Sequence, residues 1–535
     1  MKILIITDKK IVNFHKKIID KLSSNNDVEV ITLGSIITQK YNISESLISD
    51  LLWRVFFKIE NILLKRYSHR DARAKELLKI ITECSKSNSR LKYKKVDINT
   101  LQQQVYDLII DISIYTKSDI IYKNISAPVI SFTIGSENYD PPALQSIINE
   151  DDTTDFRIFY KSKSDNNIYN IVSGNLPTQL TYLRNIAYIL NKIEYYLVKS
   201  TTNIKDGEFK FIRNKPDQQI NNKCNYNALD FALYYKIITK KIYKKIVNKL
   251  GKKDIEFHVG YAQNNNISIS DKIKKSTIIK AEAGSWLADP FVFYDKSSDT
   301  SYIFVEEYVN HLKRGVISCY KIINETKYEY LGPIIIETFH LSFPFVFEYN
   351  GDIIMCPESS ANNDIRLYIA IDFPKKWALH KIIMKNVSAA DTIIKKYDGF
   401  WWLITSIDPT MIGYHDSELN IFFADNPITD KWIPHPNNPI YINGLIGRNA
   451  GNINNLGDIN FDLTPPPKLY RVYQSQGYDT YGKSFSISHI EDLSQNAFGE
   501  KTILTVGIDK DLGQISTHHY SESERFIAFD YATYK

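Results

Sequence analysis

The sequence is poor in the features that staple small folds, hold metals or anchor a chain in a bilayer. It has four cysteines in 535 residues, Cys84, Cys224, Cys319 and Cys356, none close to another. That spacing excludes a disulfide scaffold and a cysteine-rich zinc module. There is no HExxH and no GxSxG, so metalloprotease and serine-hydrolase chemistry lack their signatures. No metal ligand set is named from the sequence. No stretch of about 18 uncharged apolar residues occurs, and no helix is expected to span a membrane. The apolar start, KILIIT, stops at Asp8, too soon for a signal-peptide core. The expected location is the cytoplasm with reduced thiols, with peripheral attachment at the inner membrane face left open. An excess of one charge is also missing. Lys+Arg total 66 against 61 Asp+Glu, a net +5, which does not indicate a nucleic-acid binder.

Apolar residues are present in quantity. Hydrophobic residues make up 43% and charged residues 24%, the balance of a folded chain. The length predicts about two to four domains. Residues 1–205 alternate short Ile/Val-rich runs (KILIIT, VEVITL, DLIIDIS, APVISFT) with helically spaced segments at 10–25 and 44–65. Such alternation predicts an α/β domain with a mainly parallel sheet. No GxGxxG follows the first strand, so a nucleotide-binding Rossmann reading lacks its phosphate loop. Residues 206–254 read as a polar linker followed by a basic helix. That helix, ALDFALYYKIITKKIYKKIVNKL over 228–250, interleaves apolar residues with six lysines. It fits either a helix packed between domains or one lying on an anionic leaflet.

From 255 the pattern becomes period-2 strands divided by turns, and three segments align. ADPFVFYDKSSDTSYIFVEEY, SFPFVFEYNGDIIMCPES and AADTIIKKYDGFWWLITS each hold a strand, a tight turn and a second strand. Asp289, Phe343 and Asp391 correspond. Further starts fall near Arg448 and His518. A unit of about 50 residues built from four strands is a propeller blade, and residues 255–535 predict five. The strand in DIEFHVGYAQ is placed to pair with the C-terminus and close the ring. Innermost strands begin at the axis, so Asp289, the turn from His340 to Pro344, Asp391, Arg448 and His518 should converge there. Trp286, Phe343 and Trp401 would wall the same cleft.

Two resemblances follow. The stretch from YDLIIDIS through APVISFTIGSENYDPPALQSIINEDDTTDF resembles the N-terminal domain of the formyltransferase family, with Ser131 and Thr133 where that family has Asn and His. Thr154-Asp155 stands for its Thr-Gly turn, and Asp165 for its Asp. The resemblance implies a Rossmann-like fold with a degenerate formyl-transfer site and no folate cofactor. In the second region, LADPFVF, FVEEY, HLSFPFVFEYNGDIIMCPES, HPNNPI, GRNAG, LYRVYQ and YGKSFSISHIEDL resemble the five-bladed domain of plant glucosamine inositolphosphorylceramide transferases. That domain also occurs beside formyltransferase-like domains in bacterial surface-polysaccharide gene clusters. Its architecture is similar to that of five-bladed glycoside hydrolases and mannosyl-transferring phosphorylases, some of which hold an axial ion such as Ca²⁺.

The implied function is glycosyl transfer in making a cell-surface polysaccharide, O-antigen or capsule, from a nucleotide-sugar or sugar-phosphate donor. Glycosyl chemistry needs one group to protonate the bridging oxygen and another to activate a nucleophile, and two carboxylates meet that need. Asp289 is the candidate base. Glu307 or Glu358 is the candidate acid, and since Glu306 and Glu307 adjoin in a strand, only one of them can face the axis. Asp391 would hold sugar hydroxyls or tune a neighbour. Arg448 would grip a phosphate or carboxylate with its fork. His340, Gln474, His518 and Trp286 would complete the substrate contacts. The alternatives are a carbohydrate-binding module without turnover, an amino-sugar N-formyl- or acyltransferase, and a glycoside hydrolase or phosphorylase.

Overall fold

A computed structural model describes the chain apart from residues 9–10, 33–46, 69–70, 83–104, 115–126, 136–138, 141, 164–166, 207–223, 226–227, 251–253, 456–468, 512 and 535. Two compact units, Met1–Tyr243 and Lys244–Lys535, divide it. Among the described residues, no helix is long and apolar enough to cross a membrane.

In the first unit, β1 (Lys2–Thr7), β2 (Asp27–Thr32), β3 (Leu108–Asp111) and β4 (Val129–Ile134) pair in parallel, with β1 between β2 and β3. Their Ile/Val runs are buried because both faces of a parallel sheet are covered. Two antiparallel strands, β5 (Thr153–Lys161) and β6 (Ile168–Pro177), extend the sheet beyond β4. The α/β expectation therefore holds, with a mixed rather than wholly parallel sheet. Thr154-Asp155, matched above to a Thr-Gly turn, lies inside β5, where Thr154 is buried against Thr178 and Asn185. Ser131 is spent donating to the Asp111 carbonyl in the sheet interior. Asp165 lies outside the described residues.

Helices α1 (Asn13–Ser23), α2 (Leu47–Ser68), α3 (Ala72–Ile81), α4 (Leu144–Ile148), α5 (Tyr182–Lys205) and α6 (Ala228–Leu250) complete this part of the chain, the unit boundary falling within α6. The N-terminus of α5 is satisfied by a buried acid on α2. Glu60 accepts from the Leu183 amide at 3.0 Å and from the Tyr234 hydroxyl, which itself accepts from the Tyr182 amide. These are orphan donors of the helix start. Burial pushes the Glu60 carboxyl up to about 7, against the pull of those hydrogen bonds.

The second unit is a ring of five blades, of which blades one and two are separate four-stranded sheets, blade three carries a short fifth strand, Tyr441–Ile442, and blades four and five run together through one parallel pair at Gly451 and Tyr520. Blade one runs Ser285–Asp295, Thr300–Val309, Arg314–Ile322 and Tyr328–Ile335. Blade two runs Ser342–Tyr349, Asp352–Glu358, Asp364–Asp372 and Lys376–Lys385. Blade three runs Ala389–Tyr397, Phe400–Ile407, Glu418–Ala424 and Ile433–Pro434. Blade four runs Arg448–Asn455, Leu469–Gly477, Thr480–Leu493 and Phe498–Gly507. Blade five takes its inner strands, Tyr520–Glu522 and Phe526–Tyr534, from the chain's end. Its outer strands, Ile255–Gln263 and Thr277–Ile279, come from before blade one. Phe526–Tyr534 pairs antiparallel with Ile255–Gln263, the closure expected of DIEFHVGYAQ. Each innermost strand lies against the next, and the fifth against the first. One apolar core runs through blades one to four. Smaller ones fill the seams around blade five.

Candidate functional site

The three aligned positions share one backbone device. Asp289, Phe343 and Asp391 have φ of 49°, 45° and 53°, in the left-handed region. Each sits in a bulge of its blade's innermost strand, between Ala288 and Phe291, Ser342 and Phe345, and Ala390 and Ile393. A bulge re-aims a side chain, and the left-handed turn costs a non-glycine residue about 1–2 kcal/mol. Three successive blades bearing that cost at one register position mark the axial end of the ring as a built site. In blade four, Gly451 occupies the bulge, because a Cβ there would run into the carbonyl oxygen of Tyr520 on blade five.

Around these turns the axial residues converge. Arg448 Nε lies 2.6 Å from Asp391 Oδ2, and its Nη2 lies 3.3 Å from Oδ1. The same guanidinium stands 3.7 Å from Glu358 and 3.6 Å from Asp416. Gln474 also donates to Asp391 Oδ2, at 3.3 Å. His518 stands between two acids, with Nε2 3.2 Å from Asp289 Oδ1 and Nδ1 3.0 Å from Asp530 Oδ1. Asp530 is fully buried and holds the backbone of the hub, accepting from the amides of Asp289, His518 and His519. Asp289 in turn accepts from the Phe343 amide. Ligand atoms of Asp289, His518 and Asp530 lie within 4.8 Å of one another, close enough to hold one cation. With His518 protonated, the imidazolium itself bridges the two carboxylates.

Position decides charge in this cluster. Burial would raise the Asp289 carboxyl, but His518 and His519 overcome it and hold it well below the usual carboxylate range. Burial lowers His518, yet Asp530 and Asp289 together push it up to about 10. Burial, with Asp289 and Glu358 nearby, pushes Glu306 well above the usual range. Burial also lifts Asp391 to about 7 against the pull of Arg448. His340 Nδ1 accepts from the Gly315 amide at 2.8 Å, which leaves the proton of the neutral ring on Nε2, 3.4 Å from Glu306 Oε1. Burial lowers His340, in keeping with that neutral form.

The structure thus brings Asp289, Glu358, Asp391, His340, Arg448, Gln474 and His518 into one hub, and it corrects four expectations. Glu307 does not face the axis. It is held between strands by Ser285, Ser318 and Tyr330, and Glu306 takes the axial place. Register shows why: Glu306 pairs with Ala288 as Glu358 pairs with Ser342. Arg448 grips the protein's own Asp391, so its fork is not free for a donor phosphate. Phe343 packs edge-on against Phe291 and His519, and Trp401 packs against Phe347 and Tyr349, so neither walls the cleft. Trp286, by contrast, is only half-buried, stacked on Tyr308 at 4.7 Å. Exposed Tyr481, lying over Arg448, joins it at the rim.

Sequence reasoning missed Asp530, Asp416 and Tyr481. Asp530 did leave a trace, a lone acid inside the apolar strand FIAFDY. Asn449, in GRNAG, is a strut. Its amide donates to the carbonyls of Asp391 and Ile404, and its oxygen accepts from Arg471.

Fold and site together define a five-bladed propeller with an acidic hub. Residues 265–518 match the family described as "Glucosamine inositolphosphorylceramide transferase 1, N-terminal". Among curated relatives, glucosamine inositolphosphorylceramide transferase 1 of Arabidopsis thaliana is 38% identical over 217 residues, 40% of this chain and 27% of that protein. The protein of that name from Oryza sativa subsp. japonica is 32% identical over 230 residues, 42% of this chain and 29% of that protein. The chain therefore spans less than a third of the length of these relatives. Similar solved structures include a thermostable family-43 glycoside hydrolase, at 14% identity and a TM-score of 0.30, covering 41% of this chain and 74% of that one. Another is a family 117 glycoside hydrolase from Zobellia galactanivorans, at 9% identity and a TM-score of 0.33, covering 52% and 90%.

Proposed function

We propose that the propeller hub is a carbohydrate-active site for glycosyl transfer, with Asp289 as base and Glu306 as acid. The observation that carries this reading is that both acids sit buried at the hub end of blade one, Glu306 opposite the residue before Asp289, with their carboxyls pushed in opposite directions. His518 and His519 keep Asp289 ionised, while burial beside two other carboxylates keeps Glu306 protonated. Two carboxyl groups driven apart in this way are the acid and base of glycosyl chemistry. Asp289 would take the proton of the acceptor hydroxyl as its oxygen bonds to the sugar's anomeric carbon. Glu306 would give its proton to the oxygen leaving that carbon, and the neutral His340 would orient the acid. Such a proton transfer contributes about 10²–10⁴-fold in rate. The likeness to the transferases supports the class of reaction, and a place in cell-surface polysaccharide synthesis is a finer part of the same proposal.

One observation favours a second reading. Arg448, the cation that sequence offered to a donor phosphate, is engaged by Asp391, Glu358 and Asp416. That suits a hub that binds carbohydrate without turning over a phosphate-bearing donor. The test is to incubate the protein with a panel of nucleotide sugars and sugar phosphates, comparing wild type with Asp289→Asn. Transfer by wild type and its loss in the variant supports the proposal. Sugar binding without transfer by either supports the second reading, and equal transfer by both removes the hub from the chemistry.

A further inference from the structure

We infer that α2 and α6 form a docking surface for an anionic lipid bilayer. The two helices belong to one packed layer: the Phe56 ring lies 5.1 Å from Phe231 and 5.4 Å from Tyr234. Both keep a buried face. On α2 it carries Phe56, Glu60 and Leu64, and on α6 Phe231, Tyr234 and Ile238.

The outer faces are unusual. On α6, Leu229, Leu233, Lys236, Lys240 and Tyr243 recur at intervals of four, three, four and three, so they lie along one side of the helix. Leu229 is 73% exposed and Tyr243 70%. On α2, Val55, Ile59, Ile62 and Arg66 recur in the same way, flanked by Lys58 and Lys65, and Ile62 is 57% exposed. From Val55 to Arg66 the one acid, Glu60, is buried, and from Ala228 to Tyr243 the one acid, Asp230, is half-buried at the start of the helix; Glu150, half-exposed beside Lys241, is a further acid near this face. Solvent-facing helices of soluble proteins mix charges of both signs, and exposed apolar residues scattered singly need no explanation. Two neighbouring helices that each set exposed aliphatic residues among cations, with few acids beside them, have the chemistry of an interfacial helix. Apolar side chains enter the acyl boundary while lysines meet anionic headgroups. Of the two readings sequence allowed for 228–250, this exposed face supports the leaflet.

An anionic bilayer fits this face better than a protein partner because the exposed charge is mainly positive and the aliphatic residues share their lines with lysine and arginine. The test is co-sedimentation of the full chain with vesicles of phosphatidylcholine alone or with phosphatidylglycerol added. Wild type is expected to bind the anionic vesicles, to ignore the neutral ones, and to be released by salt. Combined Lys58→Glu, Lys236→Glu and Lys240→Glu should weaken binding by at least about 100-fold, at about 1 kcal/mol per lysine. Leu229→Ser with Leu233→Ser should weaken it at any salt concentration, with circular dichroism confirming that both variants fold. Equal binding to both vesicle types, binding unaffected by either variant, or a dimer in light scattering that the leucine variant dissolves would each overturn the proposal.

Discussion

Glu306 stands to Ala288 as Glu358 stands to Ser342: each acid closes the first hairpin of its blade opposite the residue that precedes a left-handed turn. Adjacent blades therefore deliver two carboxyl groups to the axis by one repeated register, and the bulged residues beside them, Asp289 and Phe343, differ. Blade one has an acid at both places, Asp289 and Glu306, the pair proposed above as base and acid.

Gly315 should be intolerant of a side chain. A Cβ there would lie 2.8 Å from Glu306 Oε1 and 2.9 Å from His340 Cε1, and would also press on the Leu341 carbonyl. Overpacking of this kind costs about 1–3 kcal/mol. Gly315→Ala is expected to lower stability by that amount in urea unfolding and to displace Glu306 and His340 together. An alanine variant as stable and as active as wild type would contradict the close approach.

Arg448 is the counter-charge for three acids. Arg448→Ala leaves Asp391, Glu358 and Asp416 facing one another without it, and removing one partner of a buried ion pair costs about 3–5 kcal/mol. Adding Asp391→Asn should recover part of that loss, because one of the stranded charges is gone. A double variant no more stable than the single one would show that Arg448 acts through packing instead.

His518 makes stability depend on pH in the alkaline range. Its folded pKa, about 10, lies above the ordinary 6.5, so the native state holds the proton more tightly than the unfolded chain. The contribution is complete below about 6.5 and is lost as pH rises through about 10. Wild type should therefore lose melting temperature between pH 7 and 10 more steeply than His518→Gln. Parallel slopes would mean that the imidazole is neutral between Asp289 and Asp530.

Much of the propeller could be read from sequence because its physics is local and repeated. The alternation of apolar residues, the turns and the register that aligns Asp289, Phe343 and Asp391 all lie within short segments. What escaped depends on partners far apart in the chain. Whether Glu306 or Glu307 faces the axis is fixed by pairing, and a shift of one residue reverses every side chain. Arg448 looked available because nothing in GRNAG reveals that Asp391 lies 57 positions upstream and within its reach. Asp530 works through backbone amides contributed by blades one and five, which no motif records. In the α/β unit, the fold class followed from alternation, whereas the order of the strands was not readable and the matched Thr-Gly turn fell inside a strand.

The most direct measurement sets Glu306→Gln beside Glu307→Gln, neighbours in one strand with opposite facings. If the hub performs glycosyl transfer, Glu306→Gln should lower turnover by about 10²–10⁴-fold while the protein stays folded. Glu307→Gln should keep most of the turnover and lose about 1–2 kcal/mol of stability, since Ser285, Ser318 and Tyr330 donate to that carboxylate. Loss of turnover in Glu307→Gln with Glu306→Gln unaffected would place the chemistry away from the axis.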